Sequence, residues 1–200
     1  MILLRIRLIT AYITLFLFSI PSLALSANKP DETLIEKELG NIPDLKSSQI
    51  DLLKTLILIS RHWDPSLKTQ PLQDEIKKLV LDVKHNLKDS NDTTSITHAL
   101  RMAIHKNAGY HYTEQVDSRG YPTNNEELFL HGMLKTKRGY CMNLSLLYLI
   151  IGQKLDIPLF GVPLPNHFFV RYNKGKDRIN IETTEMGTSF PDSFYGQRYL

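Results

Sequence analysis

An α+β fold, with helices leading and a small antiparallel sheet following, is predicted by three observations. Apolar residues recur at helical spacing between Ile50 and Ile151. From Leu159 the period drops to two, the spacing of half-buried strands. No segment repeats or falls to low complexity, and helices grouped before strands argue against alternating βαβ units. The 200 residues, 42% of them hydrophobic, suffice for one domain with a real core and a short appendage.

The appendage comes first. Met1 to Arg7 form a short basic region, Leu8 to Ile20 an apolar one, and Pro21 to Ala27 offer small residues for cleavage after Ala24 or Ser26. Residues 1–26 therefore read as a signal peptide, which makes the protein exported, periplasmic or extracellular. The alternative is a retained membrane anchor over residues 8–25, nearly long enough to span. Loss of Arg5 and Arg7 takes Lys+Arg from 24 to 22 against 21 Asp+Glu, lowering the net charge from +3 to +1. No Lys/Arg run or basic helix face exists, so nucleic acid is not an expected partner. Membrane contact is expected only if the N-terminal segment stays. Residues 27–45, polar and carrying Pro30 and Pro43, read as a linker or loosely docked arm.

Ile50, Leu53, Leu56, Ile57 and Ile59 predict a helix that stops before Asp64-Pro65. A second starts at Pro71 and buries Leu72, Ile76, Leu79, Val80, Val83 and Leu87, until Asp89-Ser90-Asn91-Asp92 breaks it. Ile96, Ala99, Leu100, Ala103 and Ile104 mark a third, ending near Asn107-Ala108-Gly109. Tyr110 to Pro122 reads as an ordered loop. Thr123-Asn124-Asn125-Glu126 is a capping-box pattern opening a helix with Phe129, Leu130, Met133 and Leu134 on one side. Gly139 provides a bend, and an apolar helix then runs from Cys141 to near Asp156-Ile157-Pro158. Strands are predicted at 159–163, 167–172 and 179–184, with a turn over Asn173-Lys174-Gly175-Lys176.

Cys141 is the only cysteine in the chain. It cannot form an internal disulfide, which leaves a free thiol, an intermolecular partner or a buried inert residue. At a helix start it meets the positive end of the dipole, free N–H groups and the nearby Arg138, all of which favour thiolate. His167 and Glu182 follow on the strands. With Lys174-Gly175 as a two-residue loop, His167 pairs directly with Glu182 on one face, their Cβ atoms about 4.5–5.5 Å apart. A cysteine nucleophile needs a histidine, and the histidine needs an acceptor that fixes its tautomer. Asn180 shares that face and could orient either group. The N–H of Cys141, with Asn143 or Tyr140, is the candidate for stabilising an oxyanion. Each residue also has a bland reading: a packed cysteine, a satisfied edge histidine, a solvated strand glutamate.

The run from Leu128 to Tyr148, containing Arg138-Gly139-Tyr140-Cys141-Met142-Asn143, resembles the bacterial transglutaminase-like superfamily. So do Gly161 to Tyr172, containing Pro165-Asn166-His167-Phe168, and Ile179 to Thr184, containing Glu182. The likeness runs from about Thr94 to Gly187 and is nearest to the branch often fused to tetratricopeptide repeats. The resemblance implies a papain-like α+β domain over residues 46–200, with a Cys-bearing helix packed on a small antiparallel sheet. It implies Cys141 as nucleophile, His167 as base and then acid, and Glu182 as orienting carboxylate. Glutamate stands where the superfamily more usually has aspartate. From Glu182 to Leu200 only 18 residues remain, so Ser189 to Leu200 are expected to close the sheet edge or form a loose tail.

These readings converge on an exported cysteine-dependent acyl-transfer enzyme acting on peptide or protein amides, with hydrolysis favoured over transamidation because water is always available. The alternative is a non-catalytic binding module that keeps the fold, with an unreactive Cys141 of high pKa. No cofactor is expected. His98, His105 and His111 lack metal-ligand spacing, so no metal is expected either.

Overall fold

The computed structural model describes residues 37–38, 40–41, 49–118 and 121–200. The signal segment expected over 1–26 lies outside them, as does most of the arm expected over 27–45. The chain divides into two units, Met1–Leu67 and Lys68–Leu200. In the first, helix α1 spans Leu52–Trp63. Asp51 caps it by accepting from the Lys54 N–H at 3.0 Å, and Asp64-Pro65 follows its end. No helix among the described residues is long and apolar enough to cross a membrane.

The second unit opens with α2, Gln70–Asn86, whose Pro71 sits in the first turn, where a missing N–H costs nothing. Leu72, Ile76, Leu79 and Val83 form its buried stripe. Helix α3, Thr93–Arg101, is capped by Asp92, whose carboxylate accepts from the N–H groups of Thr94 and Ser95. The third predicted helix does not simply end at Asn107. It widens into a π-helical turn over Met102–Asn107 that carries the buried His105. The His105 Nδ1–H donates to the Tyr110 carbonyl at 2.6 Å, and Nε2 accepts from the Tyr148 hydroxyl at 2.8 Å.

Within the stretch expected as an ordered loop, strand β1, His111–Tyr112, pairs in parallel with β2, Arg138–Gly139. The capping box expected at Thr123–Glu126 forms differently. Asn124 is the cap, accepting from the Glu126 N–H at 3.1 Å, and it opens a 3₁₀ turn over Asn125–Leu128. The Glu126 carboxylate goes to Lys135 instead of back to the cap. Helix α4, Leu130–Thr136, follows, and Lys137 in the left-handed region (φ 61°) turns the chain into β2.

Helix α5, Cys141–Lys154, is the central element, with every residue from Asn143 to Gly152 buried. The sheet beside it has the order β3-β4-β5: Leu159–Leu164, His167–Lys174 and Asp177–Ile181. Both connections are two-residue turns, Pro165-Asn166 with Asn166 at φ 55°, and Gly175-Lys176 with Gly175 at φ 62°. The second turn corrects the expected register. Tyr172 pairs with Ile179 rather than with Asp177, and Lys174 pairs with Asp177. The reason is local: a hairpin turn with positive φ at its first central residue takes glycine there, so Gly175 leads the loop instead of closing it. Phe168 and Val170 face α5, where the Phe168 ring fills the space beside Gly161 and Leu149. The odd-numbered residues of β4, His167 and Phe169 among them, face the other way.

The expected third strand stops at Ile181, and Glu182 instead caps a 3₁₀ turn over Thr183–Glu185. The end of the chain is neither a sheet-edge strand nor a loose tail. Asp192–Tyr199 forms helix α6, and its Tyr195 stacks on Phe169 with ring centroids 3.9 Å apart. The sheet is therefore covered by α5 on one face and by α6 on the other.

Candidate functional site

Cys141 is the first residue of α5 and is half-buried. Asn143 stiffens the approach to it: Oδ1 accepts from the Tyr140 N–H at 2.8 Å, and Nδ2 donates to the Glu127 carbonyl. Those bonds commit the Asn143 amide to holding the helix start, so it is not free to serve an oxyanion. Arg138, expected to favour thiolate, pairs with Glu127, with Nε 3.3 Å from Oε1.

The thiol itself departs from expectation. Burial pushes the Cys141 thiol up to about 11, and the Glu182 charge adds to the rise. The N–H groups of Phe168, Met142 and Cys141 pull the other way without overcoming it. The helix start supplies the anticipated donors, but desolvation is the larger effect, and the thiol is neutral at pH 7. The Phe168 N–H puts the thiol at the beginning of β4, next in sequence to His167.

His167 and Glu182 meet directly. The Nε2–H of His167 donates to Glu182 Oε2 at 2.7 Å, with only 6% and 1% of the two side chains exposed. Continuing the β4–β5 register one step past Val170–Ile181 sets Glu182 across from Phe169, so it reaches His167 diagonally along the shared face. The slip of two residues preserved the face while changing the partner. Glu182 Oε1 accepts from the Thr184 N–H at 3.1 Å and hydroxyl at 2.6 Å. Burial would push the Glu182 carboxyl up, but the His167 and Thr184 hydrogen bonds outweigh it and hold the carboxyl below its ordinary range. An ionised Glu182 fixes the proton on Nε2 and leaves Nδ1 as the ring atom able to accept one.

Ser145, one turn into α5, braces the arrangement. Its hydroxyl donates to the Phe168 carbonyl at 3.2 Å and lies 2.9 Å from the Thr183 hydroxyl, tying the Cys141 helix to β4 and to the Glu182 turn. Asn180, expected to orient His167 or Glu182, does neither. It accepts from Arg171 Nε at 2.6 Å and donates to Asp192 at 2.9 Å and to the Phe190 carbonyl at 3.0 Å.

The sequence reading missed a ring of tyrosines. Tyr199 stacks on the His167 imidazole with centroids 4.2 Å apart and planes 2° from parallel. The Tyr195 hydroxyl is buried near Glu182 without reaching ordinary hydrogen-bond geometry. Burial and then the Cys141 charge raise the pKa values of Tyr112 and Tyr140, so these hydroxyls also lie in the field of the thiol. A signal for Tyr195 and Tyr199 did exist: an i, i+4 aromatic pair following Pro191-Asp192, a helix start. Among the described residues no group of three or more His, Cys, Asp or Glu side chains could hold a metal ion. Both ring nitrogens of His105 are committed to Tyr110 and Tyr148.

The family model described as the transglutaminase-like superfamily matches residues 70–199 of the chain. The chain belongs to this superfamily. Its helices and small antiparallel sheet agree with that assignment, and cysteine-based acyl transfer or hydrolysis is typical of transglutaminase-like proteins. Similar curated proteins include F-box only protein 21 of mouse (Mus musculus), 33% identical over 55 residues, or 28% of this chain and 9% of that protein. The human (Homo sapiens) protein of the same name is 34% identical over the same lengths. UPF0162 protein PM0557 of Pasteurella multocida is 28% identical over 100 residues, or 50% of this chain and 36% of the relative. The similarity thus spans well under half the length of each relative. No solved structure matches.

Proposed function

We propose that this transglutaminase-like protein is a cysteine-dependent acyl-transfer enzyme with Cys141 as nucleophile, His167 as base and then acid, and Glu182 as the orienting carboxylate. The observation that carries this reading is the buried His167–Glu182 hydrogen bond beside a helix-start thiol that meets the Phe168 N–H. His167 Nδ1 takes the thiol proton as sulfur attacks the carbonyl carbon of a peptide or protein amide. The charge developing on the carbonyl oxygen is met by the backbone N–H of Cys141 at the start of α5. The intermediate collapses as the C–N bond breaks, the imidazolium gives its proton to the departing amine, and a thioester remains. Water, activated by the neutral imidazole, releases the acid; an amine would give transamidation instead. Hydrolysis is the favoured outcome because water needs no acceptor site. A thiol held neutral by burial fits a mechanism in which proton transfer accompanies attack rather than preceding it. The proposed enzyme is exported by residues 1–26, and its working domain covers residues 46–200.

The raised pKa of Cys141 also favours a second reading, a binding module that keeps the fold without catalysis. Alkylation of Cys141 by iodoacetamide across pH, in the wild type and in His167→Ala, separates the two. For the enzyme, His167→Ala slows alkylation at pH 7 by about tenfold or more. A sluggish thiol indifferent to His167 leaves the binding module.

A further inference from the structure

We infer that Tyr199 is a positioning residue for His167, and that α6 is a strap whose purpose in the fold is to bring it there. The inference rests on the proposed role of His167 only for its bearing on activity; the geometry stands independently. Face-to-face stacking at 4.2 Å and 2° closes one side of the imidazole and leaves a single ring plane compatible with the neighbours. That plane is also the one in which Nε2–H reaches Glu182 at 2.7 Å. The charged and titratable groups facing the pair are Glu182 from the end of β5, Cys141 from α5, and Tyr195 and Tyr199 from α6. Burial, followed by the Glu182 charge and weakened by Arg198, raises the Tyr199 phenol, which is consistent with a ring lying across the His–Glu pair.

The strap is anchored at its start and in its middle. At its start, Asp192 accepts from Arg171 Nη2 at 2.7 Å and Asn180 Nδ2 at 2.9 Å, and it pairs with Arg178. In its middle, Tyr195 packs on Phe169, and Phe190 stacks on Phe194 at 4.1 Å. One turn beyond Tyr195, Tyr199 arrives on the same helix face and meets His167. A rigid aromatic cap over a histidine–carboxylate bond excludes water from it and fixes which way Nδ1 points.

The test is ¹⁵N NMR of the His167 ring in the full chain, in wild type, Tyr199→Phe and Tyr199→Ala, with thermal unfolding as control. The wild type and Tyr199→Phe, which keeps the stack, should show a slowly exchanging Nε2–H. Tyr199→Ala should exchange it about tenfold faster or more, with unchanged melting of the core. Equal exchange in wild type and Tyr199→Ala, or no slowly exchanging Nε2–H in the wild type, overturns the inference. So does loss of the slow proton in Tyr199→Phe. The readout involves no thiol chemistry, so failure here is distinct from failure of the catalytic proposal, which shows as alkylation insensitive to His167→Ala.

Discussion

At the residue scale, Glu182 uses its two oxygens for two jobs, and a single substitution separates them. Oε2 holds the His167 tautomer, while Oε1 caps the 3₁₀ turn through Thr184. In Glu182→Gln one oxygen still serves Thr184, but the amide NH₂ faces Nε2 and demands an acceptor, which drives the ring proton to Nδ1. Turnover is expected to fall by about 10²–10⁴-fold. Urea unfolding should register a loss of only about 1–2 kcal/mol, the cost of one weakened charged hydrogen bond. Glu182 and His167 were legible in the sequence because residue type and strand parity suffice to pair them. The state of the Cys141 thiol was not, because helix-start donors can be read from a sequence but desolvation depends on what packs around the sulfur. Tyr112 comes from β1, Tyr140 from the junction before α5 and Tyr199 from α6, so their shared surroundings are visible only after folding.

At the element scale, two glycines in short helices offer opposite outcomes. A Cβ on Gly132, in α4, would stand 1.9 Å from the backbone oxygen of Glu126. Backbone cannot swing aside as a side chain does, so Gly132→Ala is expected to cost about 2 kcal/mol or more in urea unfolding. Gly196, in α6, has nothing within 4 Å of the added carbon and no positive φ. Gly196→Ala should therefore stabilise α6 by about 0.5–1 kcal/mol, seen as slower amide exchange over residues 192–199. The predicted helices at 50–59, 71–87 and 96–104 were legible through apolar periodicity. Helix α6 carries only the Pro191-Asp192 start and the Tyr195–Tyr199 pair as signals and lacks apolar periodicity, since it is short, holds a glycine and buries little beyond Tyr195. Its docking depends on Asp192, whose partners Arg171 and Arg178 lie 21 and 14 residues earlier in the chain and are brought side by side only by the sheet register.

At the scale of the whole molecule, His105 ties the helical half of the second unit to α5, and burial holds its pKa down to about 4. The folded state therefore keeps His105 neutral, while the unfolded chain takes up a proton near the ordinary histidine value. Stability is complete above about pH 6.5 and is lost as pH falls toward 4, amounting to about 2–3 kcal/mol by pH 4.5. Urea denaturation across this window should show that slope, and His105→Gln should flatten it. The α+β class and the order of elements were legible because helical and strand periods occupy separate stretches of the chain. The register was not, because the placement of a two-residue turn among Asn173 to Lys176 is decided by which residue can take a positive φ. Yet the site survived that misreading, and this bears on how such chains diverge. A length change of one residue absorbed within β4 or β5 would turn the glutamate to the opposite face and dissolve the pair. A change of two leaves it facing the histidine, directly or diagonally. The hairpin can therefore drift in length by even steps while the pair it carries is inherited intact.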